Sequence, residues 1–214
     1  MLELNNYTIT YPGAEQPVFA PLCFCASAGE SIALRGDSGA GKSSLLLGIC
    51  GLIPHSIAAQ TSGELLLFGK PPGEHSRAAR TELVGMVFQN PETQLFCGTV
   101  ELEAAFGLEN LCIARDEMQE RVREALEAVG LWARRGESPN TLSGGQKQLL
   151  ALASVLVMRP RLLLLDEALS QLDEQAAANM LAVLRDLRAA GQSMLFVDHD
   201  SARCAALADR EVWL

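Results

Sequence analysis

Along the first quarter of the chain, apolar and polar residues alternate in short runs. "LELNNYTITY" (2–11), "VFAPLCFCAS" (18–27) and "ESIALR" (30–35) read as strands separated by Pro and Gly. "SGELLLFGKPP" (62–72) predicts a further strand, bounded by Gly63 and by the turn residues from Gly69. Beyond it the pattern changes. "ELVGMVF" (82–88), "RLLLLDE" (161–167) and "SMLFVDH" (193–199) are apolar without alternation, as parallel strands covered on both faces are. "EVWL" (211–214) predicts a last strand. Helices are predicted from Gly41 to Cys50, Glu117 to Val129, Gln146 to Met158 and Glu174 to Ala190. In the second, positions 118, 122, 125, 126 and 129 form one apolar face, and Gly130 stands just past its end. No convincing strand lies between about 91 and 158. That block therefore reads as a helical subdomain inserted in an α/β core, with no repeat or linker dividing the chain.

The 214 residues, 49% hydrophobic, suffice for one domain with an ordinary core. Seventeen Lys and Arg stand against 26 Asp and Glu, a net charge of −9. This argues against nucleic acid as a partner, because phosphate backbones are held by clustered cations. The longest apolar run, Leu149 to Met158, ends at Arg159-Pro160-Arg161, short of the ~20 residues a bilayer span needs. No Lys or Arg precedes Arg35, and the N-terminus alternates, so no secretory leader is expected. Six cysteines show no CxxC spacing and read as free thiols. Cys23 and Cys25 share one side of a strand, where packing is the expected role.

"GDSGAGKSS" fits the phosphate-loop spacing, with Gly36, Gly41, Lys42 and Ser43 at its fixed positions between a predicted strand and a predicted helix. Backbone amides of Gly36, Asp37, Ser38, Gly39, Ala40 and Gly41 can curl around phosphates, and a helix N-terminus adds its positive end. Lys42 brings a mobile charge, and the Ser43 hydroxyl can ligate Mg²⁺ beside Ser44. A phosphate loop needs a carboxylate from a neighbouring strand, and Asp166 at the end of a leucine run is placed to supply it. Adjacent Glu167 points elsewhere and can polarise a water. In "NTLSGGQKQ" (140–148), Ser143 and Gln146 have capping-box spacing, while Gly144 and Gly145 leave a helix N-terminus open to a second anion.

These motifs resemble those of the ATP-binding-cassette ATPases, from Leu2 to Leu214. "LSGGQ" (142–146) is similar to the family signature, "LLLLDE" to its second nucleotide motif and "SQLD" (170–173) to the loop coupling two sites. The resemblance implies a P-loop NTPase core with a mostly parallel sheet, an N-terminal antiparallel β subdomain and an inserted helical subdomain, all in one domain over 1–214. It implies ATP and Mg²⁺ as cofactors, with Ser43, Gln89 and Asp166 on the metal and Glu167, His199 and Lys42 as catalytic groups. Tyr11 would stack on adenine. Two subunits, alike or different, would close head to tail, so that Ser143, Gly144, Gly145 and Gln146 of one cap the nucleotide of the other, with Asp173 coupling the sites. Asp173 also suits a helix N-cap.

Three positions depart from the family pattern. Ala168-Leu169 replaces the usual Pro-Thr or Pro-Ser after the glutamate, which predicts weaker positioning of Glu167. Leu149 stands where Arg is frequent. Asp198 replaces Thr or Ser before His199, where its charge would act on the imidazole. "FQNPETQLF" (88–96) and "VELEAAFGLENL" (100–111) resemble the ATPases of energy-coupling-factor importers of vitamins and transition metals. That resemblance implies a transmembrane coupling subunit and a substrate-binding membrane protein as partners, at the cytoplasmic face of the membrane. Many relatives continue into a C-terminal extension, which a sequence ending at Leu214 is expected to lack unless it is half of a longer, two-cassette protein. The alternatives are a soluble cassette ATPase of cofactor assembly or DNA repair, and a low-turnover clamp paired with a second cassette.

Overall fold

The structure, a computed structural model, describes residues 1–214. Strands β1 (Leu2–Thr10), β2 (Leu22–Ala26) and, after β3 (Ser31–Arg35), β4 (Gln60–Leu67) open the chain. β2, β1 and β4 pair antiparallel in that order. β3 instead joins β5 (Val84–Val87), β6 (Leu162–Asp166), β7 (Ser193–Val197) and β8 (Arg210–Trp213). This second sheet runs β5-β6-β7-β3-β8 and is parallel throughout.

The helices are α1 (Lys42–Ile49), α2 (Arg77–Leu83), α3 (Val100–Asn110), α4 (Arg115–Ala128), α5 (Gly144–Leu156), α6 (Glu174–Ala189) and α7 (Ser201–Leu207). No strand lies between Val87 and Leu162, and α3, α4 and α5 pack together there. The leucine run of β6 is continuous because both its faces are covered. Leu162 and Leu164 join a core with β1, β3 and α1, while Leu163 and Leu165 join a second core with α3, α4 and α5. One strand thus holds two hydrophobic layers together. No helix is long and apolar enough to cross a membrane.

The structure departs from the sequence expectations in several places. Residues 82–83, predicted as strand, finish α2, whose N-cap Ser76 accepts a hydrogen bond from the Ala79 amide at 3.1 Å. α3 has no helix predicted for it. It opens on Thr99, which accepts from the Leu102 amide at 3.2 Å. Cys23 and Cys25 are exposed rather than packed, because Phe24 and Ala26 take the inward positions of β2.

Candidate nucleotide site

The phosphate loop runs from the end of β3 into α1. Gly41 caps α1 with φ of 91°, a backbone conformation that glycine adopts without penalty. A Cβ there would also lie 2.5 Å from Val18 Cγ1 and 2.8 Å from Phe19 Cδ1. No side chain caps α1 and no acid sits in its first turn, so its leading amides remain available to an anion. Lys42 is 6% exposed, and its Nζ donates to the carbonyls of Gly36 at 2.9 Å and Asp37 at 2.8 Å. Phosphate oxygens entering the loop would offer the ammonium stronger, charged acceptors. Ser44 shares a 3.0 Å hydrogen bond with the Tyr11 hydroxyl. Tyr11 lies just past β1 and, with Pro12, Pro54 and Ala59, lines a cavity of about 420 Å³.

Three adjacent strands, β5, β6 and β7, lead at their C-terminal ends to Gln89, to Asp166 with Glu167, and to His199, where open α/β sheets bind ligands. At the end of β6, Asp166 accepts from Ser43 Oγ at 3.0 Å and is 8% exposed. Burial raises its pKa, and the neighbouring Glu167 charge adds to this; Ser43 and Lys42 pull the other way. Glu167 follows with φ of 50°, a strained conformation for a residue with a long side chain. It is held from every side. Its amide donates to Val197 O at 3.1 Å, its carbonyl accepts from Ser170, and its carboxylate lies between Gln89 Nε2 at 2.9 Å and His199 Nε2 at 3.0 Å. An ionised carboxylate only accepts, so His199 Nε2 carries a proton.

Ala168 and Leu169, which stand where the family pattern has Pro-Thr or Pro-Ser, have a packing role that the sequence reading did not foresee. Both residues are buried in the core, at 3% and 2% exposure, and packing restrains the backbone where proline would. Asp198 is also placed differently from expectation. Its side chain is 1% exposed and faces Arg203 Nε at 3.1 Å, while the His199 ring turns to Glu167. A buried charge needs a countercharge, and Arg203 is the one within reach.

The second anion feature is built from the ends of α5 and α6. Ser143 and Gln146 make the predicted capping box, with Gln146 Oε1 also accepting from Arg134 Nη1 at 2.5 Å. Gly144 has nothing within 4 Å of where a Cβ would sit, whereas at Gly145 a Cβ would meet that of Ala176 on α6 at 2.3 Å. Gly145 thus has a packing requirement that motif spacing did not reveal. Asp173 caps α6 through the Ala176 amide at 2.8 Å. No hydrogen bond joins Ser143, Gln146 or Asp173 to the phosphate loop of the same chain. α5 is tied instead to the residues on either side of Gln89, by Gln148 Nε2 to Phe88 O at 2.9 Å and by Lys147 to Glu92 at 2.6 Å.

A glycine-rich phosphate loop, a buried strand-end aspartate and a glutamate held by an amide and an imidazole are a combination suited to holding and hydrolysing a nucleotide. Comparison with known proteins agrees. The family described as "ABC transporter" matches residues 19–170. A Pyrococcus abyssi protein, assigned by inference as an ABC transporter ATP-binding protein, is 42% identical over 99% of this chain and 76% of its own length. A Bacillus subtilis protein assigned by inference as the HMP/thiamine import ATP-binding protein YkoD is 39% identical over all of this chain but 40% of its own. Among solved structures, CbiO1 of Clostridium perfringens, part of the ABC transporter complex CbiONQ, superposes with a TM-score of 0.85 at 28% identity, over 99% of this chain and 83% of that one. The cassette MJ0796, a dimer bound to ADP and Pi, shares the fold with a TM-score of 0.83 at 24% identity. The chain belongs to the ABC transporter ATP-binding family. It is an ATP-binding, ATP-hydrolysing cassette.

Proposed function

We propose that this cassette is the motor subunit of a membrane importer of the energy-coupling-factor type, driving uptake of a vitamin or a transition metal ion. The observation that carries the importer reading is an exposed apolar patch on the helical block. Phe96 is 66% exposed, Leu102 49% and Phe106 40%, and the two phenylalanine rings stack edge to face at 4.7 Å. Large exposed apolar residues gathered together mark a contact surface. Buried Glu103 braces the patch by accepting from the amides of Phe96 and Cys97 at 2.8 and 2.6 Å. The segment follows directly on Gln89, which touches Glu167, so a helix of a transmembrane coupling subunit seated there would sense the hydrolytic site. YkoD is assigned to HMP/thiamine import and CbiO1 to a transporter complex, which supports this partner class.

In this reading the loop from Gly36 to Ser44 holds the phosphates, Lys42 swings from its carbonyls to them, and Tyr11 supports the base. No three His, Cys, Asp or Glu side chains gather to hold a metal alone, but Mg²⁺ in nucleotide sites takes few protein oxygens. Ser43, Asp166 and the free carbonyl of Gln89 suit it, and when bound it neutralises charge on the phosphates. Glu167 takes the proton of the attacking water and His199 fixes the Glu167 carboxylate and meets the γ-phosphate. A second cassette supplies Ser143, Gly144, Gly145 and Gln146 to the nucleotide, with Asp173 at the seam. The assembly sits peripherally on the cytoplasmic face of the membrane.

The test is an affinity pull-down of the tagged chain from detergent-solubilised native membranes, with partners identified by mass spectrometry. A helical membrane subunit together with a small substrate-binding membrane protein is expected. Recovery of soluble partners only would overturn the importer and leave the ATPase standing.

A further inference from the structure

The residues that depart from the family pattern on either side of the site, Ala168-Leu169 and Asp198, meet at one side chain. Arg203, in the first turn of α7, donates from Nη1 to the carbonyl of Leu169 at 3.2 Å. Its Nε faces Asp198 Oδ2 at 3.1 Å and Asp200 Oδ2 at 3.6 Å. Leu169 lies two residues after Glu167, and Asp198 immediately precedes His199. One guanidinium therefore spans the segment carrying the glutamate and the segment carrying the histidine, from behind the point where their side chains touch.

The surroundings show that this is a fixed element. The Asp198 side chain is 1% exposed, its Oδ1 accepts from the Asp200 amide at 2.8 Å, and its carbonyl accepts from Arg35 Nη1 at 3.0 Å. Arg35 adjoins Gly36 and also donates to Ser201 Oγ at 3.1 Å. Its Nη1 further contacts Cys204 Sγ at 3.2 Å. The histidine backbone is thus tied forward to the phosphate loop by Arg35 and sideways to the glutamate segment by Arg203. The Ala168 amide makes no backbone hydrogen bond. The stiffness of this turn comes from core packing and from Arg203 instead of from a proline ring.

We propose that Arg203, held by the buried Asp198, is a positioning residue that sets the geometry between Glu167 and His199. Its role rests on the reading of Glu167 as the group that activates water. A guanidinium is required, because its Nη1 hydrogen-bonds the Leu169 carbonyl while its Nε lies in ion-pair contact with Asp198, two contacts that one ammonium cannot make together. Misplacing a reacting group by a fraction of an ångström slows the chemical step and leaves nucleotide binding alone.

The experiment compares MgATP turnover of the full chain with that of an Asp198→Asn/Arg203→Met double variant, which removes both charges so that neither is left buried alone. The expected result is a kcat lower by about tenfold, with KM for ATP within about twofold of the parent. Adding Ala168→Pro is expected to recover most of that loss, since proline restores stiffness at no cost in hydrogen bonds. If the double variant does not fold, Arg203→Lys, which retains the charge but reaches one partner only, carries the same expectation. A folded variant with parental kcat, a loss confined to KM, or a loss that Ala168→Pro leaves untouched would each overturn the proposal. Glu167→Gln is measured alongside in the parent. If it still turns over, the assignment of the base has failed, a result separate from the clamp.

Discussion

Asp166 and Glu167 are neighbours in sequence and opposite in energetic character. Asp166 is buried with one hydroxyl and a distant ammonium for company, so its carboxylate is destabilised, and its pKa is raised above the usual 3.8. A raised folded pKa means that stability is greatest with the group protonated, below the unfolded value, and is lost as pH rises through the folded one. At neutral pH the nucleotide-free protein therefore carries a cost at Asp166. Asp166→Asn is expected to raise the melting temperature of the nucleotide-free chain at pH 7, with the gap closing as pH falls toward 3.8. The same variant should lose the Mg²⁺-dependent part of the stabilisation by ATP; thermal melts with and without the ion check both. Glu167 is held by hydrogen bonds in a strained backbone conformation, a state that persists only where surroundings over-determine it. Glu167→Gln is expected to lower turnover by at least about a hundredfold, in line with loss of a general base, while ATP binding by equilibrium titration survives. Loss of binding instead would make Glu167 a ligand rather than a base.

Among the elements, α5 and α6 show how the same motif residue can answer to two demands. Gly145 on α5 packs against α6, and a methyl there would meet Ala176 at 2.3 Å. Gly145→Ala is expected to destabilise the fold by about 1–3 kcal/mol through overpacking. Gly144→Ala, with open space at that position, is expected to stay within about 0.5–1 kcal/mol, the range of helix propensity. Chemical denaturation of the two variants side by side decides this, and equal losses would remove the packing argument. The caps were legible in sequence because they are local: Ser143 with Gln146, and Asp173 before Glu174, each satisfy amides within three residues. α3 was less visible, since it carries acids at 101, 103 and 109, and one of them, Glu103, interrupts an inner face otherwise made of Val100, Ala104, Ala105 and Leu108. Its one charged residue in the interior, Glu103, is there to hold the Phe96 loop.

For the whole molecule, the separation of the two anion features is the consequential fact. The ends of α5 and α6 make no hydrogen bond to the phosphate loop of their own chain, and in the function proposed above a second cassette closes the site. Turnover per chain is then expected to rise with protein concentration until a dimer forms, a dependence that a monomeric ATPase would not show. The apolar patch predicts a second outcome. Phe96 and Phe106 are exposed, so changing both to Ser should cost little fold stability, and membrane partners should no longer co-purify. Retention of those partners would place the contact elsewhere.

The amino-acid order alone determined what depends on near neighbours in the chain. It determined the phosphate loop with its following helix, the leucine strand ending in two carboxylates, the capping box at Ser143 and the Asp173 cap, and the absence of strands between 91 and 158. These follow from backbone geometry, periodicity and the requirement that apolar runs be covered, all of which act over a few residues. What the tertiary structure decided depends on residues far apart in sequence. Gly41 answers to Val18 and Phe19, Cys23 and Cys25 face solvent because Phe24 and Ala26 are the pair that meets the core, and Asp198 turns to Arg203 instead of to the adjacent His199. In each case the deciding quantity is close approach or charge neutralisation in a dry interior, and those arise only when distant segments are brought together.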